Sequence, residues 1–188
     1  MGLDILATLD NSKELDNQPE FNEIRRNTSL SRTFCNFMSR RNVVEDCRPE
    51  LEQLEELTGV SIAFFYEMEE YMDDFSLAEM MEFMEPEIAK QQGQNAIEAN
   101  KKIEGNIHHV RQELHSFIEA LGRIPNLESK MEKTTYDTIG IKTYFADFHH
   151  NPGDGYIGNN LGQDLRNLLR LVEYGIRKGA KTVYFNYG

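Results

Sequence analysis

Four residues with side chains that can bind a metal ion lie close together in the C-terminal third of the sequence: Asp147, His149, His150 and Asp154. Two imidazoles and two carboxylates form a donor set suited to a divalent metal. They surround a stretch rich in glycine and asparagine that follows a predicted strand over residues 139–148, and loops at strand ends commonly carry sites. Neighbouring side chains on an extended chain point to opposite faces, so only one of the two histidines would face a site beside Asp147.

Two interpretations of this stretch remain open. One is a small metal-dependent hydrolase centred on residues 147–154, and the other is a surface turn with incidental histidines. Because the ligand spacing is poor, the sequence predicts no bound metal, and we assign no catalytic residue from it.

Other candidate side chains do not form a known motif. His108, His109 and His115 lie on a predicted helix, but no two are four residues apart, as a helical metal-binding pair requires. The glycines between residues 153 and 162 match neither GxGxxG nor the phosphate-binding GxxxxGK pattern, so no nucleotide cofactor is predicted.

The two cysteines, Cys35 and Cys47, are not in a CxxC spacing. With no export signal, they predict reduced thiols in a cytoplasmic protein. Nearby arginines at 32 and 40 would lower the pKa of the Cys35 thiol, whereas the neighbouring Phe34 and Phe37 favour its burial.

The strongest functional signal is the charge of residues 45–87, which we call the acidic segment. It holds fifteen carboxylates and one base, Arg48, for a net charge of −14, while the whole chain of 188 residues carries −12. A charge imbalance confined to one segment indicates a binding surface more than an active site. The residues predicted to contact a partner are Glu67, Glu69, Glu70, Asp73, Asp74, Glu79 and Glu82.

These charges predict a non-enzymatic acidic binding protein or inhibitor. The 43 residues, if helical, would span about 65 Å, and their carboxylates would recur roughly every 4 Å, close to the charge spacing of one DNA strand. The expected partner is a basic protein, such as a nuclease or another nucleic-acid-binding protein. An immunity protein and a solvated face that only maintains solubility remain alternatives. The overall charge opposes direct binding to nucleic acid or anionic membranes.

Five arginines precede the acidic segment: Arg25, Arg26, Arg32, Arg40 and Arg41. No carboxylate lies between Ile24 and Val44. These arginines are expected either to pair with the acidic segment inside the molecule or to form a separate phosphate-binding patch.

Apolar spacing predicts the first half of the chain as a strand followed by helices. Residues 3–9 alternate as a strand does, and Ser29 or Ser31 is placed to cap a helix that buries Leu30, Phe34, Phe37 and Met38. Pro49 and Gly59 bound the next helix. A further helix over 60–75 would bury Phe64, Met68, Tyr71, Met72 and Phe75 and expose Glu67, Glu70 and Asp74. Ser76 and Glu79 form a capping box for another.

A long helix is predicted from Pro86 to Leu121, with a possible kink at Gly93 or Gly105. Its apolar seam consists of Ile103, Ile107, Val110, Leu114, Phe117 and Leu121. Because this heptad repeat is short, it favours an intramolecular helix pair over a dimeric coiled coil. Methionines 68, 72, 80, 81 and 84 form a stripe that would either belong to the core or bind a partner.

The C-terminal part, residues 136–188, is predicted as a strand, a glycine-rich loop, a helix closed by Gly179, and a strand. The chain is therefore expected to be one domain, residues 1–188, of the α+β class. Residues 1–44 form an N-terminal strand and arginine-rich helix, and residues 45–122 a helical region with a long central helix. A small sheet joins the chain ends. The oligomeric state does not follow from the sequence.

Three strings resemble small acidic proteins of phages and mobile elements: the opening Met1-Gly-Leu-Asp-Ile5, the helix containing Ser31-Arg-Thr-Phe-Cys-Asn-Phe37, and Leu54-Glu-Glu-Leu57. The resemblance covers the first third of the chain and implies no particular activity. It implies a genomic context only. The expectation of a phage anti-defence role, like that of inhibitors of restriction or CRISPR nucleases, rests on the acidic surface described above.

Overall fold

The computed structural model describes residues 4–44, 47–69, 71–134, 139–151, 153 and 160–187, except the side chains of residues 42 and 74–76. Strand β1 (Ile5–Leu9) precedes the helices in the sequence, and strand β2 (Val183–Tyr187) follows them. The helices are α1 (Ser12–Leu15), α2 (Pro19–Asn27), α3 (Arg32–Ser39), α4 (Glu50–Thr58), α5 (Ala63–Glu69), α6 (Asp74–Glu82), α7 (Pro86–Ile103), α8 (Ile107–Gly122), α9 (Ile141–Tyr144) and α10 (Leu161–Arg177), with short 3₁₀ turns at Arg40–Asn42 and Leu127–Ser129. None of the described helices is long and apolar enough to cross a membrane.

The fold is α+β, with one small sheet that joins the chain ends, as predicted. β1 and β2 pair antiparallel, with Ile5 opposite Tyr187 and Leu9 opposite Val183. Gly175 in α10 lies directly under this sheet, where a Cβ atom would come within 2.6 Å of the Leu9 side chain. The absence of a side chain there allows β1 to pack closely on the helix.

The predicted strand over residues 139–148 is wrong. These residues form α9 and the turns after it, with Tyr144, Phe145 and Phe148 buried and Ile141 packed partly against the core. Positions 141, 144, 145 and 148 recur with helical spacing, which outweighed the β-forming composition of the stretch. The predicted C-terminal strand–helix–strand unit is therefore also wrong, and β2 pairs with β1 instead.

The core centres on α8 and α10, which pack against each other. The predicted seam on α8 is confirmed, since Ile107, Val110, Leu114, Phe117 and Leu121 are each at most 1% exposed. Asn160 caps the start of α10, since its side chain accepts a hydrogen bond from Gln163 N, a normal N-cap interaction. The seam thus forms an intramolecular helix pair, the favoured alternative.

The predicted long helix ends and restarts at Gly105, one of the two positions where a kink was expected. Gly105 has φ +80°, which favours glycine. Its N–H donates to Thr182 Oγ1 at 3.0 Å, and the Asn106 side chain bonds both backbone groups of Val183 at 2.9 Å. Contacts with the segment leading into β2 therefore fix the break between α7 and α8.

One of the predicted pairings between the arginines and the acidic segment is confirmed. Arg40 and Glu50 are both buried and form an ion pair at 3.1 Å, with the Thr134 hydroxyl completing the network. Arg25 and Arg32 pair instead with Asp16 and Asp4, which lie outside the segment. Arg41 lies over the ring of Tyr66, with its guanidinium carbon 4.3 Å from the ring centre.

Candidate interaction surface

Helices α6 and α7 form a hairpin, residues 74–103, that lies outside the hydrophobic core. No member of the core cluster falls between Met68 and Ile107 in the described chain. The two helices pack against each other, and among the described hairpin residues only Ala89, Gly93 and Ile103 are buried. Such an element has few core contacts to stabilise it, so its sequence is not explained by core packing.

Local sequence accounts for the shape of the hairpin. Glu85 is extended, with ψ 140°, and Pro86 occupies the first turn of α7, a position that tolerates its missing N–H. Gly93 allows α6 to approach α7, because a Cβ atom there would lie only 3.3 Å from the Met81 sulfur. At the base, the Asn100 side chain bonds both the N–H and the C=O of Met72.

The hairpin carries a disproportionate share of exposed apolar side chains. Nine large hydrophobic residues are exposed in the described chain, and five of them belong to this hairpin: Met81, Phe83, Met84, Ile88 and Ile97. Phe83 is 82% exposed, the largest value among them. Because large apolar side chains clustered on a surface mark interaction sites more often than solitary ones, the hairpin is the leading candidate for a contact with another molecule.

Residues 83–88, which we call the hairpin tip, combine apolar and acidic side chains. Phe83 and Met84 come before the acidic residues Glu85 and Glu87, which flank Pro86, and Ile88 follows them. Every one of these residues is exposed. The sequence interpretation missed Phe83 and Ile88. The available signal was an aromatic residue beside a methionine, between glutamates, at a proline where one helix ends and another begins.

The predicted methionine stripe is divided between core and surface. Met68 is fully buried in the core, Met72 and Met80 are partly buried, and Met81 and Met84 are exposed. The core alternative is therefore confirmed for Met68, whereas partner binding by the exposed Met81 and Met84 stays a prediction.

The predicted single helix over residues 60–75 is wrong, because α5 ends at Glu69 and α6 begins at Asp74. Tyr71 stacks on Tyr184 at 4.0 Å, and the Met72 backbone bonds Asn100 in place of helical partners. The prediction that a helix begins at a Ser76 capping box is also wrong, because α6 already begins at Asp74 and Ser76 lies within it. Burial of Phe64 and Met68 is confirmed, whereas Tyr71 and Met72 are only partly buried. The side chain of Phe75 lies outside the described part.

The seven predicted partner-binding carboxylates do not share one continuous helical face. Glu67 is exposed on α5, whereas Glu79 and Glu82 are exposed on α6, beyond the break. Glu69 is partly buried and accepts a hydrogen bond from the Tyr187 hydroxyl. Asp73 is partly buried in the connection between the two helices. Glu70 and the side chain of Asp74 lie outside the described residues.

Several other carboxylates of the acidic segment bond within the molecule. Glu50 is buried with Arg40, Glu55 accepts from Ile62 N, and Glu56 pairs with Arg48. The segment is also divided among α4, α5, α6 and the start of α7. It is therefore not one straight rod of charge, and the exposed carboxylates concentrate on α6 and the tip.

The candidate metal ligands Asp147, His149 and His150 line a common cleft of about 620 Å³. Asp147 has φ +49°, and His149 Nε2 lies 2.9 Å from Gly122 O, so that this nitrogen donates to the carbonyl. Within the described ranges, no three His, Cys, Asp or Glu side chains are grouped to hold a metal. Asp154 lies outside those ranges, so the four residues cannot be compared as a set.

Two ionisable side chains with raised pKa values, Asp164 and Cys35, lie in the protein interior rather than in this cleft. Burial raises the pKa of Asp164 to about 6, although hydrogen bonds from Ser31 and Tyr144 oppose the shift. Asp164 is fully buried. Burial also raises the pKa of the Cys35 thiol, so this cysteine lacks the thiolate character of a nucleophile.

Comparisons with protein-family models, curated proteins and solved structures gave no match. The resemblance to phage proteins therefore stays a prediction.

Proposed function

We propose that this chain is a non-enzymatic binding protein and that the hairpin tip is its contact with a protein partner. The observation that carries the proposal is the 82% exposure of Phe83, an aromatic side chain held away from the core. Burial of such a side chain in a partner contributes about 1.5–3 kcal/mol, which corresponds to roughly a tenfold to hundredfold gain in affinity.

The composition of the tip fits the usual anatomy of a protein interface. Aromatic residues and methionine are enriched at the centre of interfaces, and charged residues lie at the rim, where they remain hydrated. Phe83, Met84 and Ile88 supply the apolar centre in this proposal, and Glu85 and Glu87 supply the rim. A uniformly charged face would have no such centre.

The charge of the surface selects the class of partner. Glu79 and Glu82 add to the two glutamates of the tip, and the whole chain carries −12. A negative surface attracts basic proteins and repels nucleic acid and anionic lipid. The proposed partner is therefore a basic protein such as a nuclease, which this chain would inhibit by covering its nucleic-acid-binding surface. An immunity protein that neutralises a basic toxin is the same class of activity.

Site-specific photo-crosslinking tests where the partner binds. A photoreactive phenylalanine analogue at position 83, in the full chain expressed in its host, should give one discrete crosslinked protein. The same analogue at Leu57 is the matched control, because Leu57 is an exposed apolar position on the body of the protein, by which we mean the part outside the hairpin. Equal crosslinking from both positions, or none from position 83, would contradict the proposal.

Charge reversal of the tip then tests the electrostatic part with the purified crosslinked protein. Glu85→Lys with Glu87→Lys should lower the association rate about tenfold at low salt, because complementary charges accelerate encounter. Glu23→Lys with Glu132→Lys changes the net charge equally at exposed positions of the body and serves as the control. The wild-type rate should fall as salt shortens the Debye length below about 10 Å. A rate insensitive to salt and to the tip reversal would mean that these carboxylates are only solvated surface.

A further inference from the structure

The hairpin also contains a groove that begins beside the tip, at Pro86. The groove has a volume of about 410 Å³ and lies between α6 and α7. Leu77 and Met81 of α6 and Gly93 and Ile97 of α7 form its apolar part, and Ile97 is 47% exposed. On α7 the lining residues recur at positions 90, 93, 94, 97, 98 and 101, which is one face of a helix. The shape suits another helix laid along it.

The charges around the groove are opposite in sign to those of the neighbouring helix α6. Lys90, Glu98 and Lys101 line the groove, so its net charge is positive in a chain that is otherwise acidic. α6 carries the exposed carboxylates Glu79 and Glu82 and no basic residue. A helix that fits the groove must therefore be apolar on one face and acidic at its edge, which is the character of α6 itself.

We propose that the groove receives the α6–α7 hairpin of a second copy of this chain, so that two hairpins form a four-helix bundle. A two-fold axis makes every contact occur twice, since the groove of each copy faces the acidic edge of the other. α7 is 18 residues long, or about 27 Å, and each contact can extend over this length. The exposed groove side chains, including Ile97, become the core of the bundle.

This contact lies on a different face of α7 from the apolar side chains of the tip, although Pro86 lines the groove as well and Glu79 and Glu82 belong to both surfaces. Ile88 of the tip and Ile97 of the groove are nine residues apart on α7, and at about 100° per residue they lie on opposite sides of the helix. Crosslinking from position 83 therefore tests the partner contact, and self-association of Ile97→Lys tests the dimer, so the failure of one proposal is distinguishable from the failure of the other.

A charge exchange between two variants of the full chain tests the pairing. Lys90→Glu with Lys101→Glu makes the groove acidic, and Glu79→Lys with Glu82→Lys makes α6 basic. Each variant alone should be monomeric by sedimentation velocity, because like charges then face each other at both contacts. Mixed in equal amounts they should form a heterodimer, since both contacts become complementary again. A variant with Lys130→Glu and Lys142→Glu, both exposed on the body, should dimerise as the wild type does.

Ile97→Lys gives an independent test by placing a charge in the apolar groove. It should raise the dimer dissociation constant at least tenfold while helical content, measured by circular dichroism, stays at the wild-type value, since Ile97 is not in the core. A wild-type chain that stays monomeric into the high micromolar range would overturn the proposal. So would a dimer that survives Ile97→Lys, or charge variants that fail to associate when mixed.

Discussion

The side chain of Asn100 holds Met72 by both of its backbone groups. Asn100 Nδ2 donates to Met72 O at 2.6 Å, and Asn100 Oδ1 accepts from Met72 N at 2.9 Å. This pair connects the base of α7 to the segment that leads from α5 into α6. It replaces helical hydrogen bonds that the chain forgoes at this break, so one amide side chain fixes where the hairpin begins.

Asn100→Ala should loosen the hairpin without unfolding the body. Loss of two hydrogen bonds to partly buried backbone groups costs about 1–3 kcal/mol. Here this loss lowers the free energy of local unfolding of α6. Backbone amides of α6 should exchange with deuterium faster, while those of α8 and α10 keep their protection. Asn95→Ala, an exposed position on the same helix, is the matched control. Unchanged exchange in α6 would show that the Met72 contact does not hold the hairpin.

Asp164 should make stability depend on pH in the direction opposite to that of a salt-bridged aspartate. Its pKa is about 6 in the folded protein against an ordinary value of 3.8 for an aspartate side chain, so the folded state binds the proton more tightly than the unfolded chain. Its stabilising contribution is fully present below about pH 4 and is lost as the pH rises through 6, by up to about 3 kcal/mol. The measurement is urea unfolding between these pH values.

Asp164→Asn isolates this effect from other carboxylates. The difference in unfolding free energy, wild type minus variant, should grow in favour of the wild type as the pH falls from 7 to 4. Asp147→Asn, at an exposed position, should leave the profile unchanged. A difference that is flat across this range would show that Asp164 titrates normally.

Replacing only one residue of the buried pair Arg40–Glu50 should strongly lower the free energy of unfolding. Glu50→Ala removes the carboxylate that pairs at 3.1 Å with Arg40, which is 3% exposed, and loss of one member of a buried pair should destabilise the fold by about 3–5 kcal/mol. Glu56→Ala removes the exposed partner of Arg48 and should cost at most about 1 kcal/mol. The double change Arg40→Met with Glu50→Leu should cost less than Glu50→Ala alone, because it leaves no buried charge. Equal costs for the two single changes, by chemical unfolding, would contradict this ranking.

Protein purified without added metal should contain no stoichiometric zinc or manganese. His149 already donates one ring nitrogen to Gly122 O, and the described residues supply no three-ligand group with it. His149→Ala with His150→Ala should therefore leave partner binding unchanged. Elemental mass spectrometry is the measurement, and one bound ion per chain would favour the hydrolase alternative instead.

Periodic apolar residues determined much of the fold directly. The seam on α8 and the apolar face of α10 are buried as their spacing requires, because a helix with one apolar face has few other ways to remove it from water. Chemical rules local to one position also held: Ser31 caps α3, and Gly59 ends α4 in the left-handed conformation.

Tertiary contacts decided what those local rules left open. Residues 141–148 satisfy both a strand composition and a helical spacing, and packing of Tyr144 and Phe145 in the core selected the helix. The break between α5 and α6 depends on Tyr184 and Asn100, which are 113 and 28 residues away from Tyr71 and Met72. No property of the stretch itself encodes a partner at that distance.

The candidate site divides in the same way. The sequence determined that the negative charge is concentrated in one segment, because formal charge depends only on residue type. Which carboxylates remain exposed was decided by the fold, since Glu50 is enclosed with Arg40 while Glu79 and Glu82 lie on a hairpin outside the core. Exposure of Phe83 could not be predicted either, because an aromatic residue becomes a surface feature only when the rest of the chain forms its core elsewhere.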